Sequence, residues 1–173
     1  MSSKELFAPL NNLSSLIAKR HQNPIVLIPC AKNQNLEFGK SHLVYNSSLF
    51  KLALHVAHKL TISQNIYILS TKYELLGLDQ CICKYNYPKP IEGWKKWGEN
   101  IVNLLKCRNI DLNSHTIISL AGNSFNQAIL NAFSAITSKQ ALNNFIEPLK
   151  GLNTGRRLQE MKKNLIKIQK NKN

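Results

Sequence analysis

The segment Pro24–Lys32 reads PIVLIPCAK, and it decides the fold. Its centre, Ile25–Ile28, is a short apolar run rich in β-branched residues, which is typical of a strand covered on both faces. Polar residues begin at Lys32, two positions after Cys30. We therefore predict a buried strand whose carboxyl end delivers a thiol and then a polar loop.

Two further runs, Ile66–Leu69 and Thr116–Leu120, repeat this pattern. Between the first two strands, Leu49–Leu60 has the spacing of an amphipathic helix that Asn46, Ser47 or Ser48 could cap. Helices are also predicted from about residue 92 to 108 and from 127 to 133. This alternation predicts an α/β domain, a three-layer Rossmann-like fold with a mainly parallel sheet flanked by helices.

Residues 1–173 are expected to form one domain, because the chain shows no linker, repeat or low-complexity block. The apolar spacing within residues 4–20 predicts an N-terminal helix. Residues 155–170 predict a C-terminal helix with one apolar face and one strongly basic face.

The chain has 23 Lys and Arg against 9 Asp and Glu, a formal charge of +14. Such a charge attracts polyanions, so a nucleic acid or nucleotide is the expected partner. Only four of the basic residues are arginine, and the abundance of Lys, Asn and Ile also fits AT-rich codon usage.

Membrane and secreted classes are not favoured. The longest apolar run is far too short to span a bilayer, and no leader pattern is seen, so a cytoplasmic location is expected. The four cysteines do not suggest a disulfide framework, and the Cys81-x-Cys83 spacing lacks a second ligand pair. We predict neither a metal site nor a cofactor.

Ligands of open parallel sheets bind outside the carboxyl ends of the strands. Three such ends carry small or polar residues: Pro29–Lys32, Ser70–Tyr73 and Ala121–Ser124. At the first, Lys32 is expected to lower the pKa of Cys30 and make it a nucleophile. The alternative is that Cys30 is a small buried hydrophobe.

Lys32 and Lys72 are candidates to hold a phosphate or carboxylate, with Ser48 and Ser70 donating to it. Plain helix capping by Ser48 and solvated lysines are the alternatives. Asp79, one of few acidic residues, is a candidate general acid or base, or else it begins a turn.

The order of several short motifs resembles an uncharacterised domain family of bacteria and phages. The motifs are Cys30-x-Lys32, YNSSLFK (Tyr45–Lys51), ILSTKYELLGLD (Ile68–Asp79), Tyr85, LAG (Leu120–Gly122) and GLNTGRRLQ (Gly151–Gln159). Glu74 stands where that family usually has glycine, and Asn86 where it usually has aspartate. The resemblance implies that Tyr45, Tyr85 and Gly122 also belong to the site.

That family is more distantly similar to the core domain of archaeosine synthase, which joins lysine to a nitrile-bearing deazaguanine in tRNA. Pro29-Cys30 and Tyr45-x-x-Ser48 match its signature. Leu43-Val44 replace its Lys-Pro, and Lys51 replaces its His.

The sequence thus predicts an enzyme that modifies a nucleobase or nucleotide, a transferase acting on DNA or RNA, with Cys30 and Asp79 as catalytic residues. Substrate-binding residues would be Lys32, Tyr45, Ser48, Ser70, Lys72, Tyr85 and Gly122. Nucleic-acid contacts would come from Arg156, Arg157, Lys162 and Lys163. The alternatives are a glycosidase-like or deoxyribosyltransferase-like enzyme that uses a carboxylate, and a nucleic-acid-binding protein without catalysis.

Overall fold

The computed structural model describes residues 23–170, with side chains to residue 165. The helix predicted at residues 4–20 lies outside the described residues. The predicted basic helix is present and spans Thr154–Lys170.

Five strands form the main sheet: β1 (Ile25–Pro29), β3 (Ile66–Ser70), β4 (Glu74–Gly77), β6 (Ile117–Ser119) and β7 (Phe145–Ile146). Their spatial order is β4-β3-β1-β6-β7. Strand β1 pairs in parallel with β3 on one side and with β6 on the other, and β6 pairs in parallel with β7. Only the edge strand β4 is antiparallel.

A separate two-stranded ribbon pairs β2 (Phe38–Lys40) with β5 (Cys81–Cys83). The helices are α1 (Ser41–Val44), α2 (Ser48–Leu60), α3 (Gly93–Cys107), α4 (Asn123–Ser134) and α5 (Thr154–Lys170).

Alternation along β1 divides the core into two layers. Val26 and Ile28 pack with the apolar stripes of α2 and α5, whereas Ile25 and Leu27 pack with those of α3 and α4. Because successive strand residues point to opposite faces, a strand that is apolar at every position needs helices on both sides. The predicted three-layer α/β architecture is confirmed.

Helices α3 and α4 touch closely where Gly98 faces Ala128. A Cβ atom on Gly98 would overlap the carbonyl oxygen of Ala128. The pairing of these two helices therefore depends on the absence of a side chain at this position.

The segment after Ser70 has no helical or strand periodicity in its apolar residues, yet it contains β4 and β5. Both are short, and β5 buries only its middle residue, so neither gives a recognisable pattern. Strands β2 and β7 are missed for the same reason. Within residues 23–170, no helix is both long and apolar enough to cross a membrane.

Candidate active site

The two halves of the sheet diverge at β1. The chain leaves β1 through α2 to reach β3 on one side, and later returns through α3 to β6 on the other side. Such a reversal creates a crevice outside the carboxyl ends of the two diverging strands. Cys30 follows β1 and Gly122 follows β6, so both predicted site residues lie at this crevice.

Cys30 is half-buried, and its backbone N–H donates to the Leu69 carbonyl at 3.0 Å. Burial raises the pKa of the Cys30 thiol, and hydrogen bonds involving Thr71 and Tyr85 only partly oppose this effect. The predicted lowering of this pKa by Lys32 is wrong, because Lys32 is exposed to solvent while desolvation dominates at the thiol. Cys30 is therefore a protonated thiol at neutral pH.

The Tyr85 hydroxyl is the centre of a polar cluster beside Cys30. It lies 2.9 Å from the Tyr45 hydroxyl and 2.8 Å from Ser70 Oγ. Burial raises the pKa of Tyr85 to about 12 and also raises the pKa of Tyr45. The structure thus brings together Cys30, Tyr45, Ser70 and Tyr85, all neutral donors at physiological pH.

Ser70 also fixes the turn that follows β3. Its Oγ accepts hydrogen bonds from the backbone N–H groups of Lys72 at 3.2 Å and Tyr73 at 3.0 Å. Its carbonyl accepts a hydrogen bond from Trp97 Nε1 at 2.8 Å. Serine side chains often stabilise turns by accepting hydrogen bonds from backbone N–H groups two and three residues ahead. These bonds hold the Ser70 hydroxyl in place, and Ser70 in turn positions the Tyr85 hydroxyl.

Gln34 holds Tyr85 from the other side. The Gln34 amide donates to the Tyr85 carbonyl at 2.9 Å and accepts from the Tyr85 N–H at 3.1 Å. Sequence reasoning missed this residue, because a glutamine in a polar loop carries no signal of its long-range partner.

A cleft of about 280 Å³ opens beside this cluster. The rings of Tyr85 and Tyr87 are stacked in it, with centroids 6.1 Å apart. Its lining includes Cys30, Lys32, Asn86, Tyr87 and Phe125. The cleft therefore combines aromatic surface with a thiol, an amide and a cation.

Lys72 is exposed to solvent, and its ammonium group lies over three tyrosine rings. Its Nζ is 4.7 Å from the Tyr73 ring centroid, 5.7 Å from that of Tyr85 and 5.8 Å from that of Tyr87. Cation–π attraction of this kind holds a lysine near an aromatic surface. Lys72 is thus placed at the margin of the cleft.

Ser48 is not the cap of α2. Ser47 is the N-cap, and its Oγ accepts from the Phe50 N–H at 3.1 Å. Ser48 is the exposed first residue of the helix. The three capping alternatives are thereby resolved in favour of Ser47, and substrate binding by Ser48 stays a prediction.

Asp79 lies outside the polar cluster. Strand β4 runs antiparallel to β3, so Gly77 is beside Tyr67 and the chain has left the carboxyl edge before it reaches Asp79. The Asp79 carboxylate is exposed and pairs with Lys40 Nζ at 2.8 Å, which lowers the pKa of Asp79. Its catalytic role stays a prediction.

Arg157, predicted as a nucleic-acid contact, is not on the exposed basic face of α5, and its binding role stays a prediction. Arg157 is 6% exposed, and its Nη2 donates to the Leu120 carbonyl. Arg156, Lys162 and Lys163 are exposed as expected. Arg157 is buried because it shares a helical face with Met161 and Asn164, which are also buried.

Glu147 is a second residue that the sequence did not indicate. It follows β7, and its side chain is only 10% exposed. Its Oε1 accepts from Asn126 Nδ2 at 3.0 Å, and its Oε2 pairs with Lys150 Nζ at 3.2 Å. The two-residue strand that precedes it has no pattern, so nothing marked Glu147 as a strand-end carboxylate.

In the described part of the chain, no three His, Cys, Asp or Glu side chains come together as a group able to hold a metal ion.

Comparison with known proteins gives one family. Residues 25–163 match the model of a family described as a family of unknown function (DUF6884). No curated protein matches, and no solved structure matches. The matched range contains the whole sheet and every residue of the polar cluster.

Proposed function

The chain belongs to the family of unknown function DUF6884, and we propose that it is an enzyme that modifies a nucleobase, a transferase acting on DNA, RNA or a nucleotide. The cleft beside Cys30 is the observation that carries this proposal. The charge of +14 supports it, because a basic surface concentrates nucleic acids and nucleotides.

The size and lining of the cleft suit one planar base. Its volume of about 280 Å³ lies just below the roughly 300–1,000 Å³ of pockets for larger ligands. Tyr87 and Phe125 offer ring faces for stacking, and the Asn86 amide offers both a donor and an acceptor to the edge of a base. Enzymes that act on bases use stacking and edge contacts of this kind.

The protonated Cys30 thiol suits addition to an electrophilic carbon that is doubly or triply bonded to a nitrogen or oxygen atom, which must receive a proton as the sulfur adds. With a nitrile, for example, the sulfur would bond to carbon while one carbon–nitrogen π bond breaks. Tyr85 would give its proton to the nitrogen and take the proton that leaves sulfur. Such a relay leaves no charge in a buried site, where charge is costly.

The distant similarity to the core of archaeosine synthase supports a reaction of this class. Two residues that match its signature, Cys30 and Tyr45, are both linked to Tyr85. Ser48, which also matches the signature, is exposed at the start of α2. The similarity therefore supports the roles of Cys30 and Tyr45 more strongly than that of Ser48.

Mass spectrometry of nucleosides from DNA, RNA and the nucleotide pool tests the proposal. Cells with and without the protein should differ in at least one modified nucleoside, and Cys30→Ala should remove the difference. Cys107→Ala is the matched control, because Cys107 is an exposed thiol. Unchanged nucleosides in all three fractions would contradict the function, and activity retained by Cys30→Ala would contradict the nucleophile role.

The glycosidase-like or deoxyribosyltransferase-like alternative assigns the chemistry to a carboxylate. In that case Asp79→Asn would abolish turnover and Cys30→Ala would not. The reverse result supports the transferase.

A nucleic-acid-binding protein without catalysis is a second candidate, favoured by the exposed Arg156, Lys162 and Lys163 on α5. Replacing all three by Gln should then reduce the slope of log affinity against log salt by about 2–3. Cleft variants such as Asn86→Ala should leave that binding unchanged, whereas the enzyme proposal expects base modification to fall.

A further inference from the structure

Arg157 is a buried cation without a carboxylate partner among the described residues. Its Nη2 donates to the Leu120 carbonyl, but its Nε is buried and has no acceptor there. Burial lowers the pKa of its guanidinium. A buried charge without a counter-charge is strongly unfavourable, and the described side chains at the carboxyl end of β6 do not offset this cost.

The guanidinium lies against the beginning of α4. Gly122 is the N-cap of that helix and makes no side-chain cap, and a Cβ atom at Gly122 would be 3.3 Å from Arg157 Nη1. Helix α4 has 12 residues, and the first N–H groups of a helix have no acceptor within it. The positive end of the helix dipole and a full positive charge thus meet at Gly122.

This positive site adjoins the cleft. Phe125, in the first turn of α4, lines the cleft together with Cys30. Strand β6, which leads into Gly122, is hydrogen-bonded to β1, which leads into Cys30. An anion at Gly122 would therefore be close to a base stacked in the cleft.

Neither Glu147 nor Glu160 forms an ion pair with Arg157. Glu147 is bonded by Asn126 and paired with Lys150. Glu160, one helical turn further along α5, forms no ion pair among the described residues, and its Oε2 is buried without a partner.

We propose that the N-terminus of α4 and the guanidinium of Arg157 bind a phosphate group of the substrate, either of a free nucleotide or of a nucleic-acid chain. This assignment rests on the proposed function, since it names the part of the substrate that anchors the base. A tetrahedral anion matches the convergent backbone N–H groups and the fork of guanidinium donors.

Nitrogen-15 NMR tests the site, with inorganic phosphate, AMP and a short single-stranded DNA as probes. The backbone N–H signals of Ser124 and Phe125 and the Nε–H signal of Arg157 should shift and saturate, relative to chloride at equal ionic strength. Arg157→Gln should weaken phosphate binding roughly tenfold to a hundredfold. Arg108→Gln, which removes an exposed arginine at the end of α3, should bind inorganic phosphate and AMP as the wild type does.

Stronger binding of AMP than of DNA would identify a free nucleotide, and the reverse would identify a nucleic-acid chain. Shifts confined to Arg156, Lys162 and Lys163, or no saturable shift at all, would overturn the site. If Arg157→Gln does not fold, Arg157→Lys keeps the charge but loses the fork, and unchanged binding by it would contradict the guanidinium's role. Phosphate binding with unchanged cellular nucleosides would overturn the enzyme function and leave the phosphate site standing.

Discussion

The hydroxyl oxygens of Tyr85 and Ser70, 15 residues apart in the chain, lie 2.8 Å apart at the carboxyl end of β3. This contact joins the segment after β5 to the turn after β3. It makes Tyr85 a central support of the candidate site as well as part of its lining.

Tyr85→Phe should destabilise the protein by about 1–3 kcal/mol, because it leaves the buried hydroxyls of Tyr45 and Ser70 without a shared partner. Urea denaturation measures the change. Tyr87→Phe makes the same chemical change on a ring that is 40% exposed, and it should leave the midpoint almost unchanged. Equal effects of the two variants would contradict the central role of the Tyr85 hydroxyl.

Stability should fall as the pH rises above about 10. Tyr45 and Tyr85 have raised pKa values in the folded protein, so they stay protonated at a pH where the unfolded chain loses these protons. Unfolding then releases protons, so the free energy of unfolding falls by about 1.4 kcal/mol per pH unit for each group. For Tyr85 this fall ends near pH 12.

Urea denaturation between pH 9 and 11.5 measures the slope. The double variant Tyr45→Phe/Tyr85→Phe should show a shallower fall than the wild type, whereas Tyr87→Phe should not. A wild-type slope unaffected by the double substitution would show that other groups are responsible.

Cys30 should react slowly with iodoacetamide at pH 8, because its raised pKa leaves little thiolate. Cys81, Cys83 and Cys107 are exposed and should react first. Peptide mass spectrometry over time gives the four rates, and urea should make them similar. A Cys30 rate equal to that of Cys107 in the folded protein would mean that the thiol is activated.

Glu74 has a backbone φ of +63°, a conformation that costs a residue with a side chain about 1–2 kcal/mol. Its carboxylate accepts a hydrogen bond from Asn100 Nδ2 at 2.6 Å. Glu74→Ala and Glu74→Gly both lose this bond, but only glycine relieves the backbone. The Gly variant should therefore be more stable than the Ala variant by about 1 kcal/mol, measured by thermal denaturation.

Gly98→Ala should destabilise the protein by about 1–3 kcal/mol or more, because its Cβ would push α3 away from Ala128. Gly155→Ala, in the first turn of α5 where the nearest atom to a new Cβ is 3.7 Å away, should be neutral or stabilising by at most about 1 kcal/mol. Thermal denaturation of both variants separates the effect of steric overlap with Ala128 from the general effect of replacing glycine by alanine in a helix. A Gly98→Ala variant as stable as the wild type would show that the helices separate freely.

The continuous apolar runs and the helical spacing of apolar residues in the sequence determined the three central strands and the helices that cover them. Ile25–Ile28 had to be buried on both faces, and this requirement alone implies helices on both sides of the sheet. The carboxyl end of β1, and so the place of Cys30, followed from the same pattern.

The sequence alone does not reveal the short strands or the pKa values of buried groups, because both depend on tertiary packing. The strands β4, β5 and β7 are too short to show a period, so the sequence did not reveal that Asp79 lies outside the polar cluster or that Glu147 follows a strand. Lys32 two residues from Cys30 suggested an activated thiol, but desolvation depends on everything packed around the sulfur, which spacing does not show.

The opening segment thus fixed where Cys30 lies, and contacts with distant residues fixed its protonation state. Arg157 shows the same division: its sequence neighbours form a basic run, while its helical face turns the guanidinium into the core. Local sequence determines which element a residue belongs to. Burial and long-range partners determine what its side chain can do, because they arise only when the elements pack.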